Sequence, residues 1–304
     1  MGMAMNILQK NANRVRSELS LVPPKVRRVR FPFGEEKPMD HFFANGNIAL
    51  SHLAAVISGL FPTGEDSLIR SARRFSGEID DPVMKKRVAG FIGQESTHGQ
   101  EHNRLNQTIH EMGTYPIASW LFTREEFLER TYTRLEEFAG RMLHLGFMAM
   151  LEHGTATATR RLLTSEELQS MLTDPNVRGI LNWHALEELE HKSVLFDLYQ
   201  HKGGSELVRV VVVGLPTVLL FYPFLFGLTL ASALGDPAAR RQPMKFLRDL
   251  ISVLRGPLGP GVILELGEFL KPGWHPDDID TEDLVQEWQL KLFGANGDLV
   301  DRVR

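Results

Sequence analysis

Two Glu-x-x-His pairs, Glu95-x-x-His98 and Glu188-x-x-His191, lie in segments whose apolar spacing is helical. An α-helix turns about 100° per residue, so a glutamate and a histidine three positions apart share one face, about 60° from each other. Phe91 and Ile92 beside the first pair, and Leu181, Trp183 and Leu186 beside the second, place both on half-buried helices. Carboxylates and imidazoles turned inward are costly unless they meet partners of their own kind. A chain carrying two such helices must bring those faces together, and a helical bundle does so most directly.

The rest of the chain agrees. Asn45 and Asn47 can start a first helix through IALSHLAAVISGL, with a break expected near Phe61-Pro62 and a continuation from Gly64 to Arg74. Asp81-Pro82 opens a second, running to about Met112 with Gly113 as its stop. Thr123-x-x-Glu126 reads as a capping box for a third, extending to Leu163. Asp174-Pro175 opens a fourth, ending near Gly203-Gly204. Strand-like alternation is nearly absent. The expected fold is all-α: a four-helix bundle over 45–203, preceded by an arm (1–44) and followed by C-terminal helices (204–304) packing on the bundle.

Val210 to Gly235 contains 26 residues without a charge, enough to cross a bilayer, yet Gly214, Pro216, Pro223 and Gly227 interrupt it. A buried core helix, an interfacial hairpin and a single span are all compatible with it. Farther on, helices are expected from Met244 to Leu254 and from about Thr281. Residues 1–30 hold Lys10, Arg14, Arg16, Lys25, Arg27, Arg28 and Arg30 against Glu18, so 7 − 1 = +6, while the whole chain carries −4. With Pro23-Pro24 inside it, this basic arm is expected to be extended and loosely attached, either a solvated arm packing on its own domain or an anchor for anionic lipid headgroups. Net acidity gives no reason to expect nucleic acid. No apolar run in the first thirty residues reads as a cleavable signal, so the expected location is cytoplasmic, with the inner membrane face as a peripheral site.

Cysteine is absent, which excludes thiolate metal sites, disulfides and cysteine nucleophiles. Any metal site must therefore use His and carboxylate. A carboxylate-bridged two-metal site needs a lone Glu from each of two helices and a Glu-x-x-His from each of the other two. Glu65, Glu95/His98, Glu152 and Glu188/His191 follow that order, separated by 30, 57 and 36 residues. Glu152 sits in the apolar run GFMAMLEHGTA and competes with His153 for the inward position. Glu65 competes with Asp66. His102 and His184, one turn from each pair, join the metal-binding set, although either could instead hydrogen-bond a ligating carboxylate from behind. Glu101, Glu187 and Glu190 point elsewhere on their helices. Glu95 and Glu188 are the expected catalytic carboxylates. Two ions are expected, with iron the first choice and manganese or zinc compatible.

FPTGED, FIGQESTHGQEHNRLN, LEHGTA, WHALEELEHKSVLFD and PGWHPDDID resemble the bacterial family called predicted metal-dependent hydrolases, which groups with ferritin-like proteins. The His184, Glu188, His191 arrangement is also similar to that of the di-iron p-aminobenzoate N-oxygenase. That resemblance implies a metal-ligating His184.

Three chemistries follow. An O2-activating di-iron oxidoreductase (hydroxylase, desaturase or oxidase) would use O2 as co-substrate, an electron donor, and a hydrophobic or lipid-like substrate suited to LHLGFMAML and the uncharged segment. A di-metal hydrolase would use a metal-bridging hydroxide; no Lys or Arg adjoins the motifs to receive an anionic oxygen, though Arg70 or Arg104 could fold in. Metal storage or sensing would leave the apolar extension without a purpose. The oxidoreductase is the leading expectation, and a homodimer and a membrane surface are compatible partners.

Overall fold

The computed structural model describes residues 22–35 and 37–304, all-α in architecture with no named strand among them. The part of the basic arm that includes Lys10, Arg14 and Arg16 lies outside the described residues. In chain order the helices are α1 (Ile48–Arg73), α2 (Pro82–Met112), α3 (Pro116–Thr123), α4 (Glu125–Ala139), α5 (Arg141–Thr164) and α6 (Glu166–Met171). They continue with α7 (Pro175–His191), α8 (Val194–His201), a π-helical turn (Val208–Gly214) leading into α9 (Leu215–Gly235), and α10 (Pro237–Arg240). The last are α11 (Pro243–Arg255), α12 (Gly261–Leu266) and α13 (Glu282–Phe293). The bundle is made by α1, α2, α5 and α7: α1 packs on α2 and α5, and α7 packs on the same two from the other side.

Local chemistry sets the ends of these helices. Asn47 and Asp81 accept from the first-turn amides of α1 and α2, and Asp174 does the same for α7. Gly113, at φ 68°, closes α2 in the left-handed conformation that glycine tolerates. Three expected boundaries fail. Pro62 does not break α1, because Asn106 Nδ2 of α2 donates at 2.8 Å to the Ser58 carbonyl that the proline leaves without an amide. The single third helix is two, divided at Gly140, and Thr123 ends α3 instead of capping the next helix. The fourth likewise divides, α7 stopping at His191 and α8 starting at Val194.

Two apolar cores fill the bundle. One gathers Leu53, Leu105, Leu163, Trp183 and Leu186; the other gathers Leu68, Phe91, Met148, Leu195 and Phe196. On α1, α2 and α5 one core lies toward the N-terminal part and the other toward the C-terminal part, while on the fourth side α7 carries the first core and α8 the second. Glu65, Glu95, Glu152 and Glu188 fall in the gap between them.

The described arm is extended, as expected, but it is not loose. Pro24, Arg27, Val29, Phe31 and Phe33 are buried, and Arg30 N donates to Arg302 O near the chain's last residues, where Val29 pairs with Val303. Gly90 and Gly93 of α2 form its seat: a Cβ on Gly90 would lie 2.5 Å from the Pro24 carbonyl oxygen, and one on Gly93 2.4 Å from Val26 Cγ2. Gly90→Ala is therefore expected to cost roughly 1–3 kcal/mol by overpacking a backbone contact, read as a lowered denaturation midpoint. An unchanged midpoint would mean that the arm is not seated on α2.

Candidate metal centre

Glu65 of α1, Glu95 and His98 of α2, Glu152 of α5, and His184, Glu188 and His191 of α7 converge in the gap between the cores, all buried. Glu152, not His153, faces inward: Glu152 Oε1 is 3.0 Å from His191 Nε2, whereas His153 turns away to meet the Glu265 carbonyl at 3.0 Å and the Trp274 ring. Glu65 is 2% exposed, and its neighbour Asp66 is exposed. Gly99 makes room for it, since a Cβ there would lie 3.0 Å from Glu65 Oε2.

Two overlapping halves can be distinguished. Glu95, Glu152 and His191 bring ligand-type atoms within 4.8 Å of one another, as do Glu65, Glu95 and His98. Glu95 belongs to both. Glu188 also stands between the halves, with Oε1 at 3.4 Å from His191 Nε2 and 3.0 Å from His184 Nε2. His102 and Glu65 form a further group with His184, yet both ring nitrogens of His102 are already used. Nδ1 meets Ser58 Oγ at 2.9 Å and Nε2 meets His184 Nδ1 at 2.8 Å. His102 thus braces the His184 ring, bonding a histidine and not the carboxylate of the alternative role weighed above, while His184 keeps Nε2 toward the Glu188 carboxylate at 3.0 Å.

The decisive observation is a set of buried polar atoms without hydrogen-bond partners. Both carboxylate oxygens of Glu65, Glu95 and Glu152, Oε2 of Glu188, Nδ1 of His98 and Nε2 of His191 lack a well-formed hydrogen bond among the described residues, although His191 Nε2 lies 2.9 Å from Glu95 Oε1 and 3.0 Å from Glu152 Oε1. Native interiors rarely leave such atoms unpaired, and hard oxygen and imidazole donors aimed at one point fit divalent cations. The opposite ring nitrogens are held: His98 Nε2 meets Glu187 Oε2 at 3.1 Å, and His191 Nδ1 meets Gln94 Oε1 at 2.8 Å. Orientation of a histidine through its far nitrogen is the usual support of a metal-binding imidazole.

Both supports lead back to one residue of the arm. Arg27 Nη1 donates to Glu187 Oε1 at 2.9 Å and Nη2 to Glu190 Oε1 at 2.7 Å. Glu190 Oε2 in turn accepts from Gln94 Nε2 at 2.8 Å. Arg27 had been read as part of a solvated arm, and no local signal gives its role, because its partners are about 160 residues away. Gln94 did carry a signal, standing four positions before His98 and hence on its face.

Burial governs protonation here. It raises Glu65 well above the usual carboxylate range, reinforced by Glu95 and Glu188, and raises Glu95 also. It pushes Glu152 up to about 8. Burial opposes charge on Glu188 and His191 too, but the pull of Glu152 and then Glu188 holds His191 well above its ordinary range, and His191 with His184 holds Glu188 well below its own. In the metal-free protein at neutral pH, Glu65 and Glu152 therefore hold protons that a cation must displace. Metal uptake is expected to release protons and to strengthen as pH rises toward about 8, the Glu152 value. Calorimetry in buffers of differing ionisation enthalpy checks this, and a buffer-independent heat would contradict it. The fold's own linkage has the opposite sign. A carboxyl raised from 4.5 to about 8 stabilises the metal-free fold fully below 4.5 and loses that contribution as pH climbs to about 8.

Other candidates do not join the centre. Arg70 pairs with Glu129 and Glu136, and Arg104 with Glu101 and Glu35, so neither guanidinium folds in. Ser232, His52 and Asp236 form a Ser–His–Asp row, with Ser232 Oγ 2.9 Å from His52 Nδ1 and Asp236 Oδ2 3.4 Å from Nε2. The ring nitrogens are reversed relative to the usual hydrolytic triad, and all three side chains are fully buried against α9. The WHPDD segment is a clasp: His275 Nε2 meets Asp197 Oδ1 at 3.0 Å, on the carboxylate that also takes Arg87 at 2.7 Å.

A family model described as predicted metal-dependent hydrolase matches residues 25–280. No curated protein and no solved structure matches the chain. The family description overturns the leading expectation of an O2-activating di-iron oxidoreductase, along with the O2 and electron donor it required. Glutamate and histidine on helices serve either chemistry, so ligand type had been asked to decide more than it can.

Proposed function

The chain belongs to the family of predicted metal-dependent hydrolases, and from that membership we propose a hydrolase working through two divalent cations held by Glu65, Glu95, His98, Glu152, His184, Glu188 and His191. The unsatisfied buried atoms of the cluster carry this reading. When bound, such ions supply Lewis-acid polarisation of a scissile bond and lower the pKa of water to near neutrality. The chain's own residues do the rest. Glu95 and Glu188 stand between the two halves and hold them at one spacing. Glu187 and Gln94 keep the His98 and His191 rings turned, while His102 keeps His184 turned.

Charge selects the substrate class. Four carboxylates balance two dications, so the loaded centre has no net positive charge with which to attract an anion. Arg27, the guanidinium joined to the centre through Glu187 and Gln94, is spent on Glu187 and Glu190. Phe61 packs on His184, Phe91 on His191 and Trp183 on His98, with ring centroids 4.5, 5.0 and 4.9 Å apart. We assign a neutral ester or amide with an apolar body in preference to a phosphate monoester. Metal analysis of the purified chain, followed by assays of apolar carboxylic esters, amides and phosphate monoesters with manganese, zinc or ferrous ion, tests this. Two bound ions and chelator-sensitive ester or amide cleavage are expected. Absence of bound metal would overturn the proposal, and preferred phosphate hydrolysis would overturn the substrate class.

A further inference from the structure

Helix α9 is inverted relative to a helix of a water-soluble bundle. Its hydroxyl residues Thr217, Thr229 and Ser232 are buried against the protein, while Leu215, Leu219, Leu220, Phe224, Leu230 and Leu234 are exposed, Leu220 at 67%. With the π-helical turn before it, it forms a 28-residue apolar helix of which only 22% of the most hydropathic window is buried. The core-helix reading of this segment is therefore excluded. The short α10 joins it to α11, which packs on the same helix, α1. Helix α11 is apolar on both sides: Val253, Phe246 and Leu250 pack on the core beside the buried Asp249, which accepts from Ile48 N at 2.8 Å, while Met244, Leu247, Ile251 and Leu254 face outward. Arg248 and Arg255 flank that stripe, and Arg240 and Arg241 precede it, all exposed and without an acidic partner among the described residues.

We propose that the exposed faces of α9 and α11 form one surface that seats the protein on an anionic lipid bilayer. Ten large apolar side chains exposed along two helices joined by α10 are the kind of patch that marks an interaction or membrane surface. An outward apolar stripe bordered by arginines is the pattern of helices lying in the headgroup region. The basic border complements anionic lipid. A second copy fits less well, because a two-fold contact sets a surface against itself and would bring the same four arginines together. The helix lies in the interface and does not cross the bilayer. One side of it is fixed to α1 and α3, and Pro223 frees a carbonyl that headgroup water can satisfy but hydrocarbon cannot.

Flotation of the full chain with mixed phosphatidylcholine–phosphatidylglycerol vesicles and with pure phosphatidylcholine vesicles tests this, with metal content as the control for folding. Binding to the anionic vesicles is expected, falling with salt. It should weaken about tenfold or more for Leu220→Glu or Phe224→Glu, and about fivefold for each of Arg248→Gln and Arg255→Gln, with metal content unchanged. Failure to float would overturn the proposal. So would a dimer of the wild type that Leu220→Glu dissociates, because the face would then be occupied by a second copy.

Discussion

Glu95→Gln and Glu188→Gln should both lose bound metal, and with it about 10³-fold or more in hydrolysis, the equivalent of several kcal/mol of Lewis-acid stabilisation. Their metal-free forms should differ. Burial raises the Glu95 carboxyl and so disfavours its charge, so a neutral amide there costs the metal-free fold less than it does at Glu188. Glu188 is the ionised member, held between His184 at 3.0 Å and His191 at 3.4 Å. Neutralising it leaves a buried imidazolium short of a counter-charge, at a cost of roughly 3–5 kcal/mol. Metal analysis together with thermal denaturation in chelator separates the two. A Glu188→Gln protein that still holds two ions would remove this residue from the centre.

The second large effect should arise from a residue that touches no ligand atom. Arg27→Met leaves Glu187 and Glu190 without their cation, and both of the connections that orient His98 and His191 pass through those glutamates. Loss of such outer support typically costs about 10–100-fold in metal affinity. Breaking the buried pair should also cost about 3–5 kcal/mol of stability. Burial already pushes Glu187 up to about 8 against the pull of Arg27, so without the arginine this carboxyl should rise further and keep its proton to higher pH. Glu187→Gln made in the Arg27→Met background should consequently cost much less than Glu187→Gln alone, a non-additivity that a double-mutant cycle measures. Strict additivity would show that the arm does not act through Glu187.

The contrast between these residues explains what was legible in the sequence. Glu95/His98 and Glu188/His191 declare themselves because helical periodicity turns a spacing of three into a shared face, and Glu65 and Glu152 follow from the bundle's repeating order. Asn47, Asp81, Gly113 and Asp174 were legible for the same reason: caps are local. Pro62 misled because the residue that satisfies the freed Ser58 carbonyl, Asn106, lies on another helix. Gly140 and the stop at His191 were hidden inside continuous apolar patterns. Arg27 could not be found at all from composition, since a run of arginines reads the same whether its members face water or buried glutamates. The orientation of α9 was equally invisible, because a uniformly apolar helix has no periodicity by which to assign its outer face.

The arm also bears on the order in which the molecule assembles. Its extended residues pair with the last turn of the chain, Val29 with Val303 and Arg30 with Arg302, which are contacts between positions more than 270 apart. Loop-closure entropy makes contacts this remote slow to form. The four helices can collapse around their two cores first, and the arm that carries the guanidinium steadying both histidines is fully fixed once the residues around 302 and 303 have paired with it. Cation capture at full affinity is thus a late event in folding, and a nascent chain exposing Glu95 and Glu188 would be a poor scavenger of metal.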